Sequence, residues 1–421
     1  MATHAVVAPG TAVVVGAGIV GLSTAWHLQE HGIEVTVLER GRVASGASWG
    51  NAGWLSPGLA IPLNEPSAIR AGAESLFNPY APLSIPLLPG PSLVRFLALF
   101  AANSSYHSWQ RALRGNAPLS RACLEAYDEL VDGGVAAVVE EEPITALFSS
   151  EKRALHLLME LRAANEAGVP VEHTPLDGDD VRDLIPVASE NIRAGVRLHK
   201  QRYINPGVFT HALADAVRSR GGRVVEGFHV SSILPSRRGR GQFTLLSSQG
   251  EVEHADTVVA AAGAWMQRAA RRWGVHVPVA AGRGYSFTAH TDRPVTGPVY
   301  LPEARVACTP LKDGLRVAGT MEFTSPDAPL QRARVSAIAR SAAPYFEGVD
   351  LNNRSDEWVG PRPVSADGLP LVGPTRVPGL HVAGGHGMWG ITHGPVTGRL
   401  LARAIATGVI PAELRPFTPS R

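Results

Sequence analysis

The 421-residue sequence predicts an α/β fold in two parts, a doubly wound parallel sheet and an α+β part with its own antiparallel sheet. Three observations carry this. The apolar run Val13-Val14-Val15 meets Gly16-Ala-Gly18-Ile-Val-Gly21, a helix-length segment, and then a second strand ending on Glu39. A second apolar run, Thr257 to Trp265, also ends in a glycine turn. Apolar runs bounded by turns suit parallel strands buried on both faces. After Pro278 the pattern shortens to Gly284–Ala289, Val299–Leu301, Arg305–Thr309 and Leu315–Gly319, as expected of an antiparallel sheet that walls a substrate pocket, with Tyr285, Thr309, Thr320 and Glu322 as its polar residues.

The first element is the most informative. In a strand–turn–helix context, Gly16 suits the tight turn, Gly18 lets backbone approach a pyrophosphate, and Gly21 allows close helix–strand packing. The phosphates then face the N-terminus of a helix, whose free N–H groups and dipole favour anions. Glu39 accepts hydrogen bonds from ribose hydroxyls, which disfavours a 2′-phosphate. The segment therefore predicts a dinucleotide site. From Arg40 to Gly58 follows a loop rich in Gly, Ser and Ala, in which Ser45 and Ser48 offer hydroxyls to a ligand.

Eight prolines between Pro57 and Pro91 mark an exit from this unit. Ser92 is expected to cap a helix, Leu93–Ala102, too short for the roughly 20 residues of a membrane span. Core packing is expected over contact with a membrane interface. Helical spacing continues over Leu119–Val139 and Ser150–Ala167, and Pro206 starts a helix that Gly221-Gly222 ends. Arg223–Ile233 alternates like one strand, and Gln242–Ser247 with Glu251–His254 reads as a hairpin. A helix near Arg334–Tyr345 precedes the return to the first unit through Glu357–Gly373. The last strand meets Gly384-Gly385 and a helix, Val396–Gly408, again aiming N–H groups at an acceptor. This gives a discontinuous first domain over 1–60, 195–275 and 356–421, and a second over 61–194 and 276–355.

Composition adds exclusions. Lys+Arg 39 against Asp+Glu 37 points to no nucleic-acid partner, and Ser236–Gly241 and Arg268–Arg272 read as solvated basic turns. Cys123 and Cys308 make no disulfide framework and read as buried apolar residues of a reducing compartment. The opening MATHAVVAPGT has neither a basic n-region nor a long apolar stretch, which points to the cytoplasm, with peripheral contact to the inner membrane as the alternative. His27 and His31 lie one helical turn apart but lack a third ligand, so both are placed on the solvent side of their helix and no metal site is expected.

Four motifs in order, VVVGAGIVGLSTAWHL with ERG, ASWGNAGWLSPG, GPRPVSADGLPLVG and GGHGMWGITHGPVTGRLLA, resemble the flavin amino-acid oxidases and dehydrogenases of the D-amino-acid oxidase type, especially bacterial D-amino-acid dehydrogenases. The resemblance implies a Rossmann-like FAD-binding domain and a substrate domain. It puts Gly16, Gly18, Gly21 and Glu39 on the adenosine half of FAD, with Ile19, Val20 and Arg40 among the cofactor contacts. Ser45, Ser48, Asn51 and Ala52 fall beside the isoalloxazine, and Gly53, Val230, Gly263 and Arg362 join the cofactor contacts, Val230 through backbone at the adenine. Gly387, Met388, Trp389, Gly390, Ile391 and Thr392 fall at the flavin pyrimidine edge. Arg362 matches the arginine that binds substrate carboxylate, a role suited to a planar guanidinium. No cysteine lies between Glu357 and Gly398, so FAD is expected to be noncovalent.

The implied reaction is oxidation of a D-amino acid or a cyclic secondary amino acid by hydride transfer from Cα to flavin N5, with Tyr285 and His386 as further catalytic candidates. The imino acid then hydrolyses to a keto acid, and a quinone or dioxygen takes the electrons. Two alternatives stand beside it: oxidative demethylation of an N-methyl amino acid, disfavoured where Trp389 replaces the lysine of some sarcosine-type relatives, and an FAD-binding scaffold without turnover. His393 stands where an apolar residue is commoner among close relatives.

Overall fold

The computed structural model describes residues 8–67, 69, 72, 81–235, 243–266 and 270–421. The basic stretch Ser236–Gly241 and Arg268 lie outside them. A six-stranded sheet runs in the order Arg223–Glu226, Glu34–Glu39, Thr11–Val15, Thr257–Ala260, Leu380–Gly384, Leu371–Pro374. All its pairs are parallel except the last. Val13 and Val14 are fully enclosed, as the apolar run required. The helix Ile19–Glu30 packs on this sheet, and the C-terminal helix Gly390–Thr407 packs on that helix. Their approach depends on Gly398, where a Cβ would lie 2.6 Å from the Ser23 carbonyl carbon. Because a second helix covers the first, His27 is buried, while His31 is exposed as expected. Burial holds His27 down to about 3.

The second sheet has nine strands, in the order Val349–Ser365, Val279–Thr291, Gly314–Phe323, Val306–Leu311, Val299–Leu301, Ile144–Phe148, Ala194–Leu198, His173–Asp177, with Leu83–Ser84 beside Gly314–Phe323. Most pairs are antiparallel; Leu83–Ser84 and the Val299–Ile144 neighbours run parallel. Its core holds Tyr285, Phe287, Val317 and Ile338. Val349–Ser365 crosses residue 356 without leaving this sheet, and the chain rejoins the parallel sheet at Leu371.

Several elements differ from the sequence reading for identifiable reasons. The helix expected at Leu119 begins at Tyr106, capped by Ser105, and runs to Asp132 with Pro118 inside it, a residue that reads as a break in sequence. The short apolar helix begins at Pro91 after Gly90, not after a Ser92 cap, because proline favours the first helical position. It is not a core helix: among its twelve residues only Phe96 is fully buried. Arg223–Ile233 splits at Gly227, whose φ of 78° turns Val230–Pro235 into a separate three-stranded sheet. The last helix begins at Gly390 rather than Val396 and contains Pro395. Proline leaves the carbonyl four residues earlier without its helical partner, and the Tyr127 hydroxyl donates to that Ile391 oxygen at 2.8 Å. Cys123 and Cys308 are buried free thiols.

Candidate active site

The carboxyl ends of the parallel strands and one face of the larger sheet enclose a cavity of about 1160 Å³. Ligands of open α/β sheets bind at such a crevice. Its first wall is the glycine turn. Gly16 has a φ of 114°, and a Cβ there would sit 2.5 Å from the Ala261 carbonyl oxygen. At Gly21 a Cβ would sit 2.0 Å from the Gly16 oxygen. Gly18 meets only Ser48 Oγ, so its other side opens on the cavity. Ile19, Val20 and Gly21 complete this wall.

Glu39 ends the neighbouring strand with its carboxylate already oriented. Oε2 accepts from Ala17 N–H at 2.9 Å and Oε1 from Gly41 N–H at 2.8 Å. Each oxygen keeps a lone pair for a hydroxyl. Arg40 lies 3.8 Å over the Trp265 ring and pairs with Asp327 at 2.8 Å, while Trp265 Nε1 donates to the same carboxylate at 2.9 Å. This contact joins the parallel-sheet side to the segment after Gly314–Phe323 at the cavity rim. Trp265, Asp327, Phe228 and Leu93 were not anticipated as lining residues. Trp265 carried a local signal, since it closes the second strand–glycine turn; Asp327 carried none.

Ser45, Ser48 and Asn51 line the cavity from the small-residue loop. Ser48 Oγ accepts from Ile19 N–H at 3.1 Å, so one hydroxyl both steadies the helix terminus and retains a donor. Val230 and Gly263 also line the cavity. Ala52, Gly53, Trp389 and Thr392 are not among its lining residues. Trp389 Nε1 donates to Ile61 O at 2.8 Å and Thr392 Oγ1 to Trp54 O at 2.9 Å, so both side chains hold the adjoining segments together. His386, Gly387, Met388, Gly390 and Ile391 line the far end, where the second helix begins without a side-chain cap.

Arg362 reaches the cavity from the long edge strand of the larger sheet. Its guanidinium lies over Gly284, where a Cβ would come within 2.1 Å of Cζ. Opposite Gly284 the Gly314–Phe323 strand bulges, and Thr320 takes a φ of 53°. A β-branched residue in that region is strained, and such strain gathers at functional sites. Here it accompanies the carbonyl that accepts from Arg362 Nη1 at 3.0 Å. Among the described residues no carboxylate pairs with Arg362. Burial draws its pKa down to about 10, leaving it cationic at neutral pH.

His386 lines the cavity and hydrogen-bonds Thr397 Oγ1 at 3.0 Å through Nε2, while its buried Nδ1 has no partner among the described residues. Burial lowers its pKa to about 4, so the ring is neutral at neutral pH. His393 is also neutral, drawn to about 3 by burial and then by His386, and Ser120 Oγ lies 3.0 Å from its Nε2. Tyr285 is a correction to the sequence reading. It is fully buried in the sheet core and is not a lining residue; its hydroxyl donates to Glu322 at 2.6 Å, and burial and Glu322 raise its pKa. It has no exposed polar atom with which to meet a substrate.

An elongated cavity with a ribose acceptor at one end, two helix N-termini along it and an unpaired cation beside it fits an adenine dinucleotide with a second, smaller anion. The comparisons agree on the dinucleotide. The sequence model of the family described as FAD dependent oxidoreductase (DAO) matches residues 11–404. A D-amino acid dehydrogenase of Xanthobacter autotrophicus is 29% identical over 403 residues, spanning 93% of this chain and 94% of that protein. Glycine oxidase from Geobacillus kaustophilus shares the fold with a TM-score of 0.73 at 22% identity, over 98% of each chain. Iminodiacetate oxidase from Chelativorans sp. BNC1 has a TM-score of 0.71 at 19% identity, over 97% of this chain and 98% of its own.

Proposed function

The chain belongs to the DAO family of FAD-dependent oxidoreductases, and on that footing we propose that it oxidises a D-amino acid or a cyclic secondary amino acid to the imino acid, with Arg362 holding the carboxylate. The observation that carries this reading is the buried Arg362 guanidinium, which has a carbonyl partner but no described acid. A carboxylate replaces the lost solvation and can bind two N–H groups at once. Anchored there, the substrate turns its Cα–H toward the ring end of the cavity, between Arg362 and the 386–391 loop. FAD, when bound, supplies the two-electron acceptor for the hydride of Cα–H.

Gly16, Gly18, Ile19, Val20, Gly21 and Glu39 would hold the adenosine and pyrophosphate, and Gly387, Met388, Gly390 and Ile391 the ring edge. The lack of a cysteine between Glu357 and Gly398 supports noncovalent attachment. His386, made a weak base by burial, would orient rather than deprotonate, and positioning would supply most of the rate. Water then hydrolyses the imino acid. The D-amino acid dehydrogenase relative supports this substrate class.

We assign the acceptor as a membrane quinone rather than dioxygen. Leu88 is 94% and Leu87 78% exposed just before the Pro91–Ala102 helix, which also exposes Val94 and Leu99. Leu88 and Leu93 line the cavity, so this apolar surface reaches its mouth. No helix among the described residues is long and apolar enough to cross a membrane, so contact would be peripheral.

Anaerobic mixing of the FAD-bound protein with D-, L-, cyclic and N-methyl amino acids tests the reading. Flavin absorbance is expected to bleach with D- or cyclic substrates. Bleaching by none of them would refute it, and preference for N-methyl substrates would replace deamination by demethylation.

A further inference from the structure

The loop from Ser45 to Gly53, of which Ser45–Ser48 and Asn51 line the cavity, contains no regular strand or helix. Its main-chain carbonyls therefore need partners from elsewhere. Three of them find side chains on the larger sheet, more than 230 residues away in sequence. Ser286 Oγ donates to Gly50 O at 2.8 Å, Thr309 Oγ1 to Ala52 O at 2.6 Å, and Arg316 Nη1 to Trp49 O at 3.4 Å. The Arg316 guanidinium also lies 4.9 Å from the Trp49 ring centroid.

The donors form one patch. Register places Thr288 opposite Arg316 and Arg316 opposite Thr309, with Ser286 two residues from Thr288 and hence on the same face. On the next strand Trp358 pairs with Ser286 and packs on Gly50, where a Cβ would lie 2.1 Å from the indole. Four neighbouring strands each give one residue to the same short loop. Ser286, Thr309 and Arg316 are buried, so water does not compete for these carbonyls. Thr309 also accepts from Trp54 Nε1 at 2.9 Å, spending both its donor and an acceptor site on this segment.

We propose that Ser286, Thr309, Arg316 and Trp358 are positioning residues, which transfer the rigidity of the larger sheet to the loop that walls the FAD cavity. None of the four lines the cavity itself. They set where Ser48 and Asn51 stand, and through Ser48 the terminus of the Ile19–Glu30 helix. The inference rests on FAD occupying this cavity, and is independent of Arg362 and of the substrate.

The test uses the FAD-bound protein and Ser286→Ala, Thr309→Val, the double variant and Thr309→Ser. FAD dissociation constants are read from flavin fluorescence, and hydrogen exchange is followed over residues 45–53. Each lost hydroxyl is expected to weaken FAD binding about fivefold, and the pair about 25-fold, with faster exchange in the loop. Thr309→Ser is expected to restore both. Unchanged FAD affinity with faster exchange would overturn the inference, since the loop would then be no part of the cofactor wall. Unchanged exchange would overturn it too, since the contacts would not hold the loop. If Thr309→Val fails to fold, Ser286→Ala decides by the same two readouts. Loss of carboxylate discrimination in Arg362 variants would leave these results unaltered.

Discussion

The two ends of the cavity are built by different means. At the glycine-turn end the contacts come from backbone: Gly16, Gly18 and Gly21 within six residues, a helix terminus, and one acid fixed by two N–H groups. At the Arg362 end a single side chain is held by Gly284 and Thr320, which come from two other strands. The first end is shaped by close backbone contacts at Gly16 and Gly21; the second presents a buried charge. Steric lesions should therefore dominate at one end and electrostatic ones at the other.

The largest effect is expected for Gly21→Val. Its side chain would enter the space of the Gly16 carbonyl, so the variant should be isolated without FAD, as absorbance near the flavin bands would report. An FAD-loaded variant of normal stability would break the contrast. Next comes Arg362→Lys. It keeps the charge but loses the fork, and should cost about 2–5 kcal/mol in kcat/KM, roughly 30-fold to several thousand-fold, with FAD affinity unchanged.

A pH effect follows. His386 and His381 are lowered from 6.5 to about 4, and His27 and His393 to about 3, so the unfolded chain binds more protons than the folded one between these values and 6.5. Stability from these groups is complete above pH 6.5 and is lost as pH falls toward 4 and below. Thermal melts across pH 4–8 should show that loss, and His393→Gln should flatten it. The smallest effect belongs to Arg40→Ala: its pair with Asp327 is exposed at the rim, so FAD affinity should change by about 1 kcal/mol or less, and by less still at high salt.

The same contrast explains what could be read from sequence. The glycine turn, Glu39 and the 386–391 loop carry their meaning within a few residues, because backbone geometry is local. Arg362 was legible only as a motif match; the bulge at Thr320 and the gap at Gly284 that accommodate it depend on strand register. Tyr285 misled for that reason, since alternation identifies a strand but does not say whether a polar tip faces the cavity or Glu322. His27 was misplaced because a helix from the far end of the chain covers it. Trp265 and Asp327 meet across 62 residues through a hydrogen bond that no periodicity signals.

The proposed pairing of Arg362 with the substrate carboxylate is the central claim, and a double-change cycle addresses it directly. It compares kcat/KM for a reactive amino acid and its carboxamide in wild type and in Arg362→Ala. In wild type the carboxamide should be poorer by about 100-fold, and in the variant the two substrates should react at nearly equal rates. A carboxamide penalty that persists undiminished in Arg362→Ala would show that the carboxylate is held elsewhere.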